Sequence, residues 1–141
     1  MVGLYWEDWE IGKEYVSASR TITEADIVHF AGISGDYNPL HIDEEYCKKT
    51  IFGTRIAHGP LVYSIAAGLL FQLHLYDDTL IAFLGFDSLK FTKHVIAGDT
   101  ITAKISVLEK RETSKLDRGV MKRSLKVYNQ NRSQCLWVVL L

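Results

Sequence analysis

The segment from Pro60 to Leu75 constrains the fold more than any other part of this sequence. Its apolar residues cover nearly every face of a helix: Leu61, Val62, Ile65, Ala66, Ala67, Leu69, Leu70, Phe71 and Leu73. A helix that is apolar all round must be buried all round. Because the segment is short and contains Ser64, Gln72 and His74, it is a poor candidate for a membrane span. The rest of the chain must therefore wrap around it.

Strand-like runs are available to do this wrapping. After the apolar helix they cover Thr79 to Phe91, Asp99 to Lys110, Gly119 to Asn129 and Gln134 to Leu141. Between Ile101 and Val107, apolar and polar residues alternate with the period of two that a half-buried strand requires. With a further strand over Lys13 to Ile22, the pattern predicts an α+β fold, in which a five-stranded antiparallel sheet is wrapped around a central apolar helix.

Shorter helices are predicted before the apolar one. Thr23 is a good N-cap for a helix that ends within Gly32 to Gly35. Asp43 similarly caps one or two helical turns over Ile42 to Tyr46, and Lys48 to Ala57 has few apolar positions and is typical of a surface loop.

The length of 141 residues fits one domain over residues 1–141, without internal repeats or linkers. A chain of this size can bury a core without disulfides or metal. An open sheet leaves edge strands whose backbone groups are unpaired. Because pairing two copies edge to edge would extend the sheet, we expect a homodimer or a higher homo-oligomer.

Charge and cysteine content exclude several functional classes. The 16 basic and 17 acidic residues are scattered and nearly cancel, which argues against a nucleic-acid or polybasic membrane surface. Neither the two cysteines nor the dispersed His29, His74 and His94 have the spacing of metal ligands. We therefore expect no metal and no cofactor. The first ten residues contain three acids and no apolar signal-peptide core, so the expected location is the cytoplasm.

The stretch from Ser34 to His41 carries the strongest chemical signal. It places Asp36 and His41 five residues apart, with the turn-forming residues Asn38 and Pro39 between them. The stretch has neither helical nor strand periodicity and is predicted to be a rigid loop that aims both side chains at one water. The alternative is a capping aspartate beside a histidine that the backbone satisfies.

A second candidate group lies at the start of the apolar helix. The unpaired N–H groups and dipole of a helix N-terminus favour negative charge, so the Gly59 N–H could stabilise an oxyanion. Pro60 suits the first turn of a helix. His58 is a rival base, or it shapes the turn; Asn38 braces the loop. An acid, an imidazole and an oxyanion donor together would serve the addition of water to a conjugated double bond, with Asn38, His58 and Pro60 as neighbours that contact substrate.

These residues resemble a known family. Ser34 to Asp43 (SGDYNPLHID) and Arg55 to Gly59 (RIAHG) are similar to the hydratase-2 signature of MaoC-like dehydratases, which include (R)-specific enoyl-CoA hydratases of the hot-dog fold. Leu89 to Phe91, followed by Val95 to Thr100 (VIAGDT), resembles a second stretch that is shared more widely among hot-dog proteins.

The resemblance implies a lyase of fatty acid metabolism. Its catalytic Asp and His correspond to Asp36 and His41, which would hold the water that adds syn to a trans-2-enoyl thioester, giving an (R)-3-hydroxyacyl thioester. Its oxyanion glycine corresponds to Gly59. The implied substrate is an acyl-CoA thioester, and family members are dimers or larger.

Some positions depart from the family pattern. Pro60 replaces the apolar residue common after His-Gly, Ala67 stands where some hydratases carry serine, and His94 stands where proline is common. Two other hot-dog functions stay open at this point: a module that binds acyl-thioesters or a partner without catalysis, and a thioesterase, which would release free thiol.

Overall fold

The computed structural model describes residues 2–141, so residue 1 of the expected domain lies outside the described part. The strands are β1 (Glu14–Thr21), β2 (Phe86–Phe91), β3 (Thr100–Glu112), β4 (Gly119–Tyr128) and β5 (Gln134–Leu140). They form one antiparallel sheet in the order β1-β3-β4-β5-β2. Strands β1 and β2 therefore lie at the two edges.

The helices follow the capping signals in the sequence. Their bounds are α1 (Glu24–Ser34), α2 (Pro39–Ile42), α3 (Glu44–Cys47) and α4 (Gly59–Phe71), with a short 3-10 helix over Trp6–Asp8. Thr23 caps α1 by accepting a hydrogen bond from the Asp26 N–H, and Asp43 caps α3 in the same way through the Tyr46 N–H. Both predicted caps are confirmed, because a side-chain oxygen satisfies an N–H that the first helical turn leaves free.

Helix α4 lies in the centre, against β3 and β1 of the surrounding sheet. Its buried side chains are Leu61, Val62, Ile65, Ala66, Leu69 and Leu70. Beyond its C-terminal end, Trp9 stacks on Tyr76 with ring centroids 5.3 Å apart. The predicted five-stranded sheet around a central apolar helix is confirmed, and so is the α+β class.

Three predicted details are wrong. Helix α4 is not buried on every face, because Ser64, Gly68 and Phe71 form an exposed stripe on it. It also ends at Phe71 rather than Leu75, and His74 beyond it has a positive φ of 57°. Finally, only the end of the run from Thr79 to Phe91 is a strand: a backbone turn brings the Thr79 N–H to the Tyr76 carbonyl, and β2 begins at Phe86.

The edge strand β2 and the segment before it expose many apolar side chains. These are Leu80, Ile81, Phe83, Leu84, Phe86, Leu89 and Phe91. Such a patch on an edge strand is unusual for a surface that faces only water. Within residues 2–141, no helix is long and apolar enough to cross a membrane.

Candidate active site

The loop that carries Asp36 is short and tightly braced. Gly35 ends α1 in the left-handed conformation, with φ of 74°, which favours glycine. The Asn38 side chain then accepts the Leu40 N–H at 3.0 Å and caps α2. The prediction of a loop over the whole stretch from Ser34 to His41 is therefore wrong at its two ends. Ser34 is the last residue of α1, and Pro39 starts α2 without losing a hydrogen bond.

Asp36 and His41 do face each other. His41 Nε2 lies 3.7 Å from Asp36 Oδ2. The other ring nitrogen, Nδ1, lies 2.7 Å from the Ile56 carbonyl oxygen. Because a carbonyl can only accept, this contact places the proton on Nδ1 and leaves Nε2 with a free lone pair in the neutral ring. Two hydrogen-bond acceptors, Nε2 and the carboxylate, therefore face a common point.

Burial divides the pair into a covered imidazole and an open carboxylate. The side chain of His41 is 11% exposed, while that of Asp36 is 52% exposed in the single chain. One Asp36 oxygen accepts the Asn38 N–H at 3.2 Å, which fixes the carboxylate relative to α2. The water between the two groups would therefore have a fixed partner on each side and an open approach for substrate.

His58 lies behind His41 rather than beside the open carboxylate. The two imidazoles are stacked, with centroids 3.7 Å apart and planes at 24°. His58 is 1% exposed, and its Nε2 donates to the Asp36 carbonyl oxygen at 3.0 Å, while Nδ1 is buried without a partner among residues 2–141. Phe30 packs against the same ring. The position favours a role in holding His41 and the Asp36 backbone over direct contact with substrate.

The same residues are a candidate metal cluster. Ligand atoms of Asp36, His41 and His58 lie within 4.8 Å of one another. The lone pairs of an imidazole lie in the ring plane, and these two rings are nearly parallel. Their lone pairs therefore do not converge on one ion, as metal coordination requires. The geometry suits hydrogen bonding to a water better than coordination of a metal.

Gly59 begins α4 beside this pair. Its N–H has no hydrogen-bond acceptor within the described chain, as expected for the first residue of a helix. A Cβ on Gly59 would lie 2.7 Å from Cε1 and Cζ of Phe91, so the aromatic ring of β2 covers the glycine. Pro60 is exposed in the first turn of the helix. The free N–H and the absence of a side chain are what an oxyanion donor needs.

Ion pairs hold the segment that leads to the site. Arg55 Nε donates to Glu44 at 2.9 Å, and the other end of its guanidinium bonds Glu24 at the start of α1. The next residue, Ile56, supplies the carbonyl that orients His41. Arg55 therefore ties α1 and α3 to that carbonyl and is not free to bind a substrate phosphate.

The structure brings Asp36, His41 and Gly59 to one end of α4, with His58 packed behind them. Their predicted catalytic roles, and the substrate contacts predicted for Asn38, His58 and Pro60, stay predictions. Sequence reasoning missed Phe91, which reaches the site from the distant edge strand. No local pattern could have revealed it, although Phe91 belongs to the second stretch that resembled hot-dog proteins.

Comparisons with known proteins identify the family of this chain. The family model described as "MaoC like domain" matches residues 8–129. The Klebsiella aerogenes protein MaoC is 38% identical over 115 residues, which are 82% of this chain but 33% of that protein. An (R)-specific enoyl-CoA hydratase from Rhodospirillum rubrum is 40% identical over 103 residues, covering 73% of this chain and 69% of the relative. The chain thus spans about a third of the first relative.

Solved structures extend the likeness to the whole fold. A protein described as a monoamine oxidase regulatory protein from Archaeoglobus fulgius superposes with a TM-score of 0.92 at 39% identity, covering 99% of this chain and 93% of that one. A Mycobacterium tuberculosis protein with a double hot-dog fold gives a TM-score of 0.81 at 21% identity, covering 99% and 44%, which bears on the fold alone. The chain has the hot-dog fold and belongs to the MaoC-like dehydratase family.

Proposed function

We propose that this chain is a hydro-lyase that adds water to a trans-2-enoyl thioester, and catalyses the reverse dehydration, with an (R)-3-hydroxyacyl thioester as the hydrated form. The observation that carries the proposal is the pair of acceptors, His41 Nε2 and Asp36 Oδ2, separated by 3.7 Å. One water can donate a hydrogen to each of them, because both atoms are acceptors and a water has two donors. Its oxygen lone pairs then point away from the pair, toward a substrate.

The first chemical step follows from this placement. The water oxygen bonds to C3 of the enoyl group while His41 Nε2 takes the water proton. The C2–C3 π electrons move toward the thioester, giving an enolate. The neighbouring Asp36 carboxylate stabilises the imidazolium that forms, which makes proton uptake by His41 more favourable.

The enolate oxygen requires a hydrogen-bond donor at the same moment. The Gly59 N–H at the positive end of α4 supplies one, because it has no acceptor within the described chain. The His41 imidazolium then returns its proton to C2 and becomes neutral again. Because hydroxyl and proton both come from the same side of the double bond, addition is syn.

The proposed substrate is an acyl-CoA, and the proposed assembly is a homodimer. The name of the Rhodospirillum rubrum relative supports the substrate class. The apolar side chains on the free edge strand β2 support pairing with a second copy. Phe91 at that edge also lies over Gly59, so a second copy at β2 would lie next to the site and could reduce the exposure of Asp36.

Turnover of crotonyl-CoA tests the proposal directly. Hydration removes the absorbance of the conjugated enoyl-thioester, and we expect Asp36→Asn and His41→Ala each to reduce the rate by about 100-fold or more. Asp77→Asn is a matched control, because Asp77 also pairs with a histidine, His74, at 2.7 Å but lies beyond the other end of α4. Its rate should equal that of the wild type.

Each outcome distinguishes the hydratase from the alternatives. Unchanged turnover in Asp36→Asn or His41→Ala variants with native circular dichroism would contradict the assigned site. Binding of enoyl-CoAs without hydration at any chain length would favour a binding module. Release of free thiol from acyl-CoA would instead identify a thioesterase.

Analytical ultracentrifugation tests the proposed homodimer. A monomer at micromolar concentration would contradict it.

A further inference from the structure

A cavity lies at the opposite end of α4 from the candidate active site. Its volume is about 310 Å³, near the lower end of the range for small-molecule sites. Its lining is mostly apolar and aromatic, and includes Trp6, Trp9, Tyr76, Leu80, Val120 and Met121. It shares no lining residue with the group formed by Asp36, His41, His58 and Gly59. Any function of this cavity is therefore separate from the proposed hydration.

Arg123 is the unusual residue of this cavity. It lies on β4 in the inward-facing row that continues with the core residues Leu125 and Val127. Its residue exposure is 7%, and its Nε is buried without a hydrogen-bond acceptor within the described residues. Arginine is almost never buried without a partner, because an unpaired buried charge is costly. Its guanidinium therefore keeps at least one donor, Nε–H, that no acceptor among residues 2–141 uses.

Tyr76 presents a second unsatisfied group to the same space. It is 6% exposed, and its hydroxyl makes no hydrogen bond of normal geometry in the described chain. Burial raises the pKa of this hydroxyl, and the neighbouring Arg123 guanidinium opposes that rise. The Arg123 guanidinium lies 5.3 Å from the centroid of the Tyr76 ring, so the two polar groups are neighbours. A guanidinium and a hydroxyl side by side are two donors for one carboxylate.

The other charged residues of the cavity do not neutralise Arg123. Asp117 is bound by both ends of the Arg118 guanidinium at 2.8 Å, and both residues are exposed. Glu7 is exposed as well. These residues make a polar opening, whereas Arg123 and Tyr76 lie among aromatic and aliphatic side chains. A ligand that fits this cavity has a charged inner end beside Arg123 and Tyr76. The rest of the ligand is apolar, like the side chains that surround these two groups.

We propose that this cavity binds a small carboxylate with an apolar body, its carboxylate bound by Arg123 and Tyr76 and its hydrocarbon packed against Trp9, Leu80 and Val120. The planar guanidinium favours a carboxylate because it can donate two parallel hydrogen bonds. Trp9 and Tyr76, stacked on each other, provide a rigid wall for the hydrocarbon. The site would thus recognise a free acid rather than a thioester, whose carbonyl end carries no charge.

Calorimetric titration with octanoate and with octan-1-ol tests the proposal on the whole chain. The two probes share an apolar body and differ in the carboxylate. We expect octanoate to bind the wild type, and its affinity to fall by about tenfold or more in Arg123→Met and by less in Tyr76→Phe. Arg118→Met is the matched control, since it removes a guanidinium from the opening, and should leave octanoate affinity unchanged. Octan-1-ol should bind more weakly and be insensitive to Arg123→Met.

Three binding results would overturn the proposal. The first is no binding of octanoate at millimolar concentration, and the second is equal octanoate affinity in wild type and Arg123→Met. The third is loss of octanoate binding in Asp36→Asn, which would place the probe in the catalytic site. Melting temperatures complete the test: because Arg123 Nε is buried without an acceptor in the described chain, Arg123→Met should melt no lower than the wild type. A clear drop in both Arg123→Met and Arg123→Lys would show that the guanidinium serves folding instead.

Discussion

Replacing Gly59 with alanine tests both the packing and the chemistry of the site. The added Cβ would lie 2.7 Å from two carbons of the Phe91 ring, which is closer than such atoms can approach. Overpacking of this kind costs about 1–3 kcal/mol, while alanine in a helix gains roughly 0.5–1 kcal/mol over glycine. The half-exposed Phe91 ring can yield more easily than backbone can. We therefore expect net destabilisation of roughly 0–2.5 kcal/mol.

The effect on catalysis should be larger than the effect on stability. A methyl group beside the Gly59 N–H would obstruct the enolate oxygen. We expect hydration of crotonyl-CoA to fall by about 100-fold or more, as for the loss of one oxyanion donor. Urea denaturation and the absorbance assay measure the two effects on the same samples.

A double-mutant cycle with Phe91→Ala separates the two causes. If the ring is the obstacle, Gly59→Ala should become neutral or stabilising by up to about 1 kcal/mol in the Phe91→Ala background, because only the helix preference remains. Gly68→Ala is the control within the same helix, since a Cβ there meets no atom within 4 Å. It should stabilise α4 by roughly 0.5–1 kcal/mol and leave the rate unchanged.

Either of two results would refute this reasoning. Equal destabilisation by Gly59→Ala with and without the Phe91 ring would show that the predicted clash does not occur. Full hydration activity in Gly59→Ala would show that no oxygen needs to approach the N-terminus of α4. If hydration activity recovers when Gly59→Ala is combined with Phe91→Ala, the displaced ring rather than an obstructed Gly59 N–H causes the loss of activity.

Three further predictions concern the frame of the site. Asn38→Ala removes the cap of α2 and should lower the free energy of unfolding by about 0.5–2 kcal/mol in urea titrations. The Thr54 hydroxyl, and then Arg55, hold the pKa of Glu44 below its ordinary value of 4.5. Since the folded-state pKa lies below the unfolded one, this stabilisation is present above about pH 4.5 and is lost as pH falls through the folded value. Arg55→Met should therefore lower the urea midpoint more at neutral pH than at a pH acid enough to protonate Glu44 in the folded state, and an equal shift at both would contradict the ion pairs. Burial raises the pKa of the Cys47 thiol, so a thiol reagent should label it only after denaturation.

Local sequence patterns predicted much of the fold. The period of two in β3 arises from alternating faces of a strand, and the caps at Thr23 and Asp43 act within three residues. Such signals depend only on residues close in sequence, so they can be recognised without knowledge of the rest of the chain. The run from Thr79 to Phe91 failed for the opposite reason, because its apolar residues cover a cavity and a sheet edge rather than continue a strand.

The catalytic candidates were also close enough in sequence to be recognised together. Asp36 and His41 are separated by one braced turn, so the two side chains that lie 3.7 Å apart belong to one local motif. The agreement of fold and family with the sequence prediction reflects this local encoding. The Rhodospirillum rubrum relative is named a hydratase, in agreement with the predicted lyase class.

What the sequence determined by itself was the central helix, the alternating strands and the motif of acid and imidazole, because each depends on residues that are neighbours in the chain. The tertiary structure decided the rest. It placed the Ile56 carbonyl on His41, His58 behind it, and the Phe91 ring over Gly59. It also left the Nε of Arg123 buried without a hydrogen-bond acceptor among residues 2–141. These contacts join segments that are far apart in sequence. They form only when the chain folds around α4, so no local sequence pattern predicts them.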